Sequence, residues 1–157
     1  MRLSIMTLAM AACLSGCATQ RPHGNFAGAT AAYEDQMAED AVQQLVALHP
    51  PAKTHLKLEQ TPTDSYGAAL VDKLRKAGYA LAFKPQPPRG NAGARVGADW
   101  RQVPGIPLNY LLDRMGTGRY LLQVRMGEES ISRVYAAADN RLSAAGYWAR
   151  EVVDGNQ

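Results

Sequence analysis

The residue with the plainest chemical assignment is Cys17, which follows Leu14-Ser15-Gly16. Small side chains before a cysteine suit a lipoprotein signal peptidase, and the thiol supplies the sulfur that is acylated. The four residues read as a bacterial lipobox. Met1-Arg2 gives a positive start, and Leu3 to Cys13 is mostly apolar. That run is long enough for a signal-peptide core and shorter than the about 20 apolar residues a membrane span needs. The pattern predicts residues 1–16 as a signal peptide that is removed. Cys17 then becomes the first residue and carries lipid. Each buried CH₂ adds roughly 0.8 kcal/mol, so more than one acyl chain gives stable attachment. Ala18, in place of an aspartate that would suggest retention in the inner membrane, favours the outer membrane of a Gram-negative cell, with the domain facing the periplasm.

The remaining reactive side chains do not assemble into a motif. His23 falls in the segment after Cys17, while His49 and His55 flank a Pro-Pro pair with no carboxylate or cysteine at ligand spacing. A metal site needs three or four converging ligands, so no metal or cofactor is expected. Asp113-Arg114 reads as a strand end beside the Gly116-Thr117-Gly118 turn. Glu128-Glu129 reads as a solvated hairpin tip, because neighbouring strand residues point to opposite faces. The chain has neither a Gly-x-Ser-x-Gly elbow nor a phosphate-binding glycine pattern, and no catalytic residue is assigned. Cys13 leaves with the signal and Cys17 is acylated, so the core is expected to hold without a disulfide.

These residues must be carried by one modest domain. The formal charge is +3, falling to +2 without Arg2, and basic residues are interleaved with acidic ones. That surplus is too small to argue for nucleic acid. Residues 17–30 are small and polar with Gly and Pro, and read as a lipidated flexible tether ahead of a single domain over 31–157. From Ala31 to Leu48, Met37, Ala38, Ala41, Val42, Leu45 and Leu48 recur at helical spacing, with Thr30 as N-cap and Pro50-Pro51 as stop. Residues 54–59 alternate as a half-buried strand with Leu56 and Leu58 inward. Asp64 or Thr63 caps a second helix over 65–77, with Tyr66, Leu70, Val71, Leu74 and Ala77 on its buried stripe. Gly78 follows at the helix end, and Tyr79 to Phe83 forms the next strand. Strands over 107–113, 119–126, 130–136 and 142–150, separated by short turns, make an antiparallel meander. The fold class is α+β: a small two-layer domain with an N-terminal helix, a strand-helix-strand unit and the meander.

Residues 84–105 are rich in Pro and Gly and lack periodicity. A structureless stretch of that length is uncommon in a compact domain, which points to a functional or disordered segment. Trp100 within it, and Phe26 in the tether, are the two candidate partner contacts. A tryptophan there can anchor a partner or tuck onto its own domain, and Phe26 can be incidental.

Several segments, in order, resemble the TrbH family of conjugal transfer lipoproteins. They are the lipobox, Asp40 to Ala52, Tyr66 to Ala80, Ser132-Arg133-Val134-Tyr135 and Gly146 to Glu151. The resemblance implies a mating-pair-formation component of a conjugative type IV secretion apparatus. It implies a small outer-membrane lipoprotein that stabilises the core complex beside TrbG-like and TrbI-like channel subunits. An added contact of the larger domain, such as a homo-oligomeric ring, would fit that role. Direct contact with nucleic acid is not implied. Only Cys17 carries over as a functional position. A competing reading is an outer-membrane lipoprotein that binds peptidoglycan or regulates a cell-envelope enzyme.

Overall fold

The structure, a computed structural model, describes residues 23–84 and 99–152. The signal peptide, Cys17 and residues 85–98 of the Pro/Gly-rich segment lie outside the described residues. In chain order the elements are β1 (Gly24–Asn25), α1 (Ala31–Leu48), β2 (His55–Leu58), α2 (Ser65–Lys76) and β3 (Ala80–Phe83). They continue with β4 (Ile106–Gly116), β5 (Arg119–Met126), β6 (Glu129–Ala138), β7 (Arg141–Ala144) and β8 (Ala149–Val152).

Both helices start where the sequence provides caps. The Thr30 hydroxyl accepts from the Tyr33 amide, and the Asp64 carboxylate accepts from the Gly67 amide. Of the two residues that could cap α2, Asp64 does so. After α2, Gly78 takes φ +94°, a left-handed conformation that costs glycine little.

The strands form one eight-stranded mixed sheet in the order β3-β2-β4-β5-β6-β7. β2 runs parallel to both β3 and β4, and β4, β5 and β6 are antiparallel. One face carries Leu56, Leu58, Leu108, Tyr110, Leu112, Leu122, Val124 and Ile131, all buried against Met37, Ala41 and Leu45 of α1 and Leu70 and Leu74 of α2. Burying each leucine is worth about 1.5–3 kcal/mol, so this layer is the main cohesive force of the domain. The expected two-layer α+β architecture is what forms. The other face is less apolar, with Asn109, Gln123, Arg125 and Ser132 around Leu111, Leu121 and Val134.

Three details differ from the sequence reading. Residues 24–30 are not free tether: β1 lies parallel to β4, with Gly24 beside Leu111 and Asn25 beside Leu112, and Ala27 is buried. The stretch expected as a last strand over 142–150 is two short strands. β7 pairs with residues 135–138 of β6 and β8 with residues 129–132, separated by Ala145 to Trp148. Lys57, on the polar side of β2, is buried rather than solvated, because residues 100–103 fold over it.

Candidate functional site

Cys17, the one position expected to act chemically, lies outside the described residues. The structure does describe the place where the chain following it joins the domain. The Phe26 amide donates to the Leu112 carbonyl at 2.7 Å, and the Asn25 side-chain oxygen accepts from the Ala27 amide at 3.1 Å. The Asn25 amide group donates to Glu34 Oε1 at 2.7 Å, and the Ser65 hydroxyl donates to the other carboxylate oxygen of Glu34. Glu34 is only 2 % exposed. One carboxylate therefore ties β1, α1 and the start of α2 together. From β4, Arg114 donates Nε–H to the Ala27 carbonyl at 2.8 Å and an Nη2 hydrogen to the Gly28 carbonyl at 3.0 Å. Asp113 Oδ1 accepts only from the adjacent Arg114 amide, so the two side chains do not form an active pair.

The two expected contact residues lie apart. Phe26 follows β1 and is 54 % exposed. Trp100 tucks onto the domain's own sheet: its indole N–H donates to Glu59 at 2.9 Å, and Lys57 Nζ sits 5.3 Å from its ring centroid. Lys57 also donates to the carbonyls of Trp100 and Val103. Lys57 pairs with Pro107 of β4, whereas Phe26 has just passed Leu112. At about 3.3 Å per residue, the two sit on the order of 20 Å apart along the sheet.

Two further polar clusters hold the helices to the sheet. Asp40 accepts from Arg133 at 2.8 Å and from the Tyr135 hydroxyl at 2.5 Å. Glu129 accepts from Arg150 at 2.6 Å and meets His49 at 3.0 Å. Glu129 is thus turned toward the helix layer, in contrast to the solvated tip expected for Glu128-Glu129. The Arg150 hydrogen bond outweighs burial and, with His49, holds the Glu129 carboxyl below the usual carboxylate range. Burial first, and then the bonds to Asp40 and Asp64, push the Tyr135 and Tyr110 hydroxyls well up, so both remain protonated donors. A cleft of about 580 Å³ beside α1 is lined by Gln36, Glu39, Asp40, Lys73 and Arg133 among others. Its acids and bases are already matched, Lys73 with Asp35 and Glu39, and Arg133 with Asp40. Among the described residues no group of three or more His, Cys, Asp or Glu gathers for a metal ion. No helix there is long and apolar enough to cross a membrane.

Sequence reasoning missed Glu34, yet the signal was present. Residue 34 lies in phase with Met37, Ala38, Ala41 and Leu45, so a carboxylate occupies the buried stripe. Asp40 and Glu129 gave no comparable signal, since their partners come from distant parts of the chain.

The described residues define a two-layer α+β domain whose charged clusters serve as ties between layers. The family model of the conjugal transfer protein TrbH matches residues 20–152. The chain belongs to the TrbH family and is a component of conjugal transfer. No curated protein gives a significant match. Among solved structures, the sugar N-methyltransferase KedS8 from Streptoalloteichus sp ATCC 53650 is 14 % identical over 98 % of this chain and 84 % of its own. Its TM-score of 0.20 carries no argument about fold or activity.

Proposed function

We propose that the chain is an outer-membrane lipoprotein subunit of a conjugative type IV secretion apparatus that stabilises the outer-membrane core complex. In this role Cys17 carries the acyl chains, and the domain contacts TrbG-like and TrbI-like channel subunits from the periplasmic side. The observation that supports the reading is an adjacency. The match to the conjugal transfer family begins at residue 20, three positions after a lipobox cysteine that follows a short apolar run. The charge balance and the paired state of the charged clusters favour a protein partner over a substrate. The test is Cys17→Ser in cells carrying the full transfer system. The membrane-bound fraction and the DNA transfer frequency should both fall, and crosslinking of the parent protein should recover a channel subunit. Transfer that persists undiminished with the variant removes the anchor from the mechanism. Recovery of glycan or cell-wall enzymes and no channel subunit sinks the assignment to the secretion apparatus.

A further inference from the structure

The corner of the sheet where β4 runs past β1 combines exposed apolar side chains with arginines. Phe26 and Met115, 54 % and 57 % exposed, both project there. Met115 sits in the irregular register between the Arg114–Tyr120 and Gly116–Arg119 pairs, so the strand bulges at this point. Three arginines border the same end of the sheet. Arg119 opposes Ala136, Arg141 opposes Ala138, and Arg114 reaches the Ala27 and Gly28 carbonyls. None of the three forms an ion pair among the described residues. Asp113 and Asp139 are the exposed acids of this end, and Glu34 beside Asn25 is buried, so the solvent-facing surface keeps an excess of positive charge.

We infer that this corner, Phe26 and Met115 with Arg114, Arg119 and Arg141, rests on the lipid surface that holds the anchor. The inference depends on the lipoprotein reading proposed above. Its physical basis is the length of chain between anchor and sheet. From Cys17 to Gly24 there are seven residue steps, which span at most about 25 Å however they are arranged. A domain of this size is about 35 Å across, so the β1 edge is held close to the headgroups. The Phe26 ring lies back over Gly24, its Cε2 and Cζ both 3.6 Å from where a Gly24 Cβ would stand, toward the incoming tether. From Cys17 to Tyr33 the sequence holds Arg21 and no carboxylate, so nothing in this stretch repels an anionic leaflet. Apolar side chains flanked by arginines whose charge no carboxylate neutralises match the requirements of an interfacial contact, where rings enter the acyl boundary and cations stay with phosphate. Phe26 is then neither incidental nor a protein anchor, and the far edge that carries β8 and Tyr147 is left for the channel.

The test uses the full lipidated chain in nanodiscs of phosphatidylethanolamine and phosphatidylglycerol. Signal removal discards Cys13 and acylation occupies Cys17, so an introduced cysteine is the sole free thiol. Bimane is attached through Met115→Cys or, as the far-edge control, through Tyr147→Cys at a residue that is 97 % exposed. Brominated lipid should quench the label at 115 at least about twofold more than the label at 147. Phe26→Ser together with Arg119→Gln should reduce that difference while the melting transition is unchanged. Equal quenching at the two sites in acylated protein, or stronger quenching at 147, overturns this face and leaves the lipoprotein reading intact. A mass spectrum of the native product without acyl groups overturns the lipoprotein reading, and this inference with it. Burial of residue 115 by a copurifying channel subunit, with no lipid quenching, also overturns it.

Discussion

Removing the Glu34 carboxylate tests how the N-terminal segment is held to the domain. The side chain is nearly fully buried and accepts from Asn25 on one oxygen and Ser65 on the other. A hydrogen bond to a charged group is worth about 1.5–3 kcal/mol net, and burying the carboxylate itself costs several kcal/mol, which these bonds must offset. Glu34→Gln keeps the volume and one acceptor oxygen, but turns an amide N–H₂ toward a donor. Ser65 can turn its hydroxyl to accept from that N–H₂, so both contacts persist, but two bonds to a charged group become neutral ones, and the expected destabilisation is about 1–2 kcal/mol. For a domain of this size that lowers the melting temperature by roughly 4–8 °C. Asn25→Ala alone should cost less, because Ser65 still satisfies one oxygen. The two substitutions should couple by about 1 kcal/mol or more in a double-mutant cycle. Denaturant titration gives the energies, and hydrogen exchange at the Phe26 amide reports whether β1 detaches from Leu112. If Glu34→Gln melts with the parent protein and the coupling is near zero, the carboxylate does not hold β1.

Other substitutions probe the remaining ties. The Tyr66 hydroxyl is buried without a hydrogen-bond partner among the described residues, so Tyr66→Phe should be neutral or stabilising by up to about 1 kcal/mol. Tyr135→Phe, which strips a donor from Asp40, should cost about 1.5–3 kcal/mol in the same urea titration. Because the Glu129 carboxyl is held low by Arg150 and His49, its contribution is present above the ordinary carboxylate range and is lost as pH falls through its lower folded-state value. The stability gap between the parent and Glu129→Gln should therefore close as pH falls below the ordinary carboxylate range; a gap that persists undiminished in acid contradicts the pairing. A Cβ at Gly67 would collide with the Tyr110 hydroxyl and press on Pro62 at 3.0 Å. Gly67→Ala should thus cost about 2 kcal/mol or more in thermal melts.

What could be read from sequence was whatever has a local cause. The limits of α1 followed from the Thr30 cap, the 3.6-residue stripe and Pro50-Pro51, and those of α2 from Asp64 and Gly78. The hairpin between β6 and β7 was marked by Asp139-Asn140, both of which take positive φ as a two-residue turn demands. Features set by distant partners were not legible. Gly24-Asn25 becomes a strand only because Leu111 and Leu112 present an open edge there. Lys57 looks like a solvated position until the carbonyls of Trp100 and Val103 cover it. Phe26 was singled out as the one large apolar residue of its segment, but Met115 and Arg119, at the same end of the sheet, come from a hairpin about 90 residues downstream, which no spacing rule connects to it.

The strand order explains the length of the Pro/Gly-rich stretch. β3 and β4 run in the same direction with β2 between them, so the chain cannot turn back in a hairpin and must travel the height of the sheet and step over a neighbour. α2 makes the outward step, from β2 to β3, across one face. The return step goes the opposite way, and its described end, residues 99–105, lies on the other face, as a right-handed connection has it, where Trp100 meets Lys57. The 22 residues between Phe83 and Ile106 are thus the bridge between two parallel strands, held at their described end by the Trp100 indole and Lys57. Lengthening that bridge leaves the topology alone, whereas trimming it to a tight turn denies β4 its place beside β2.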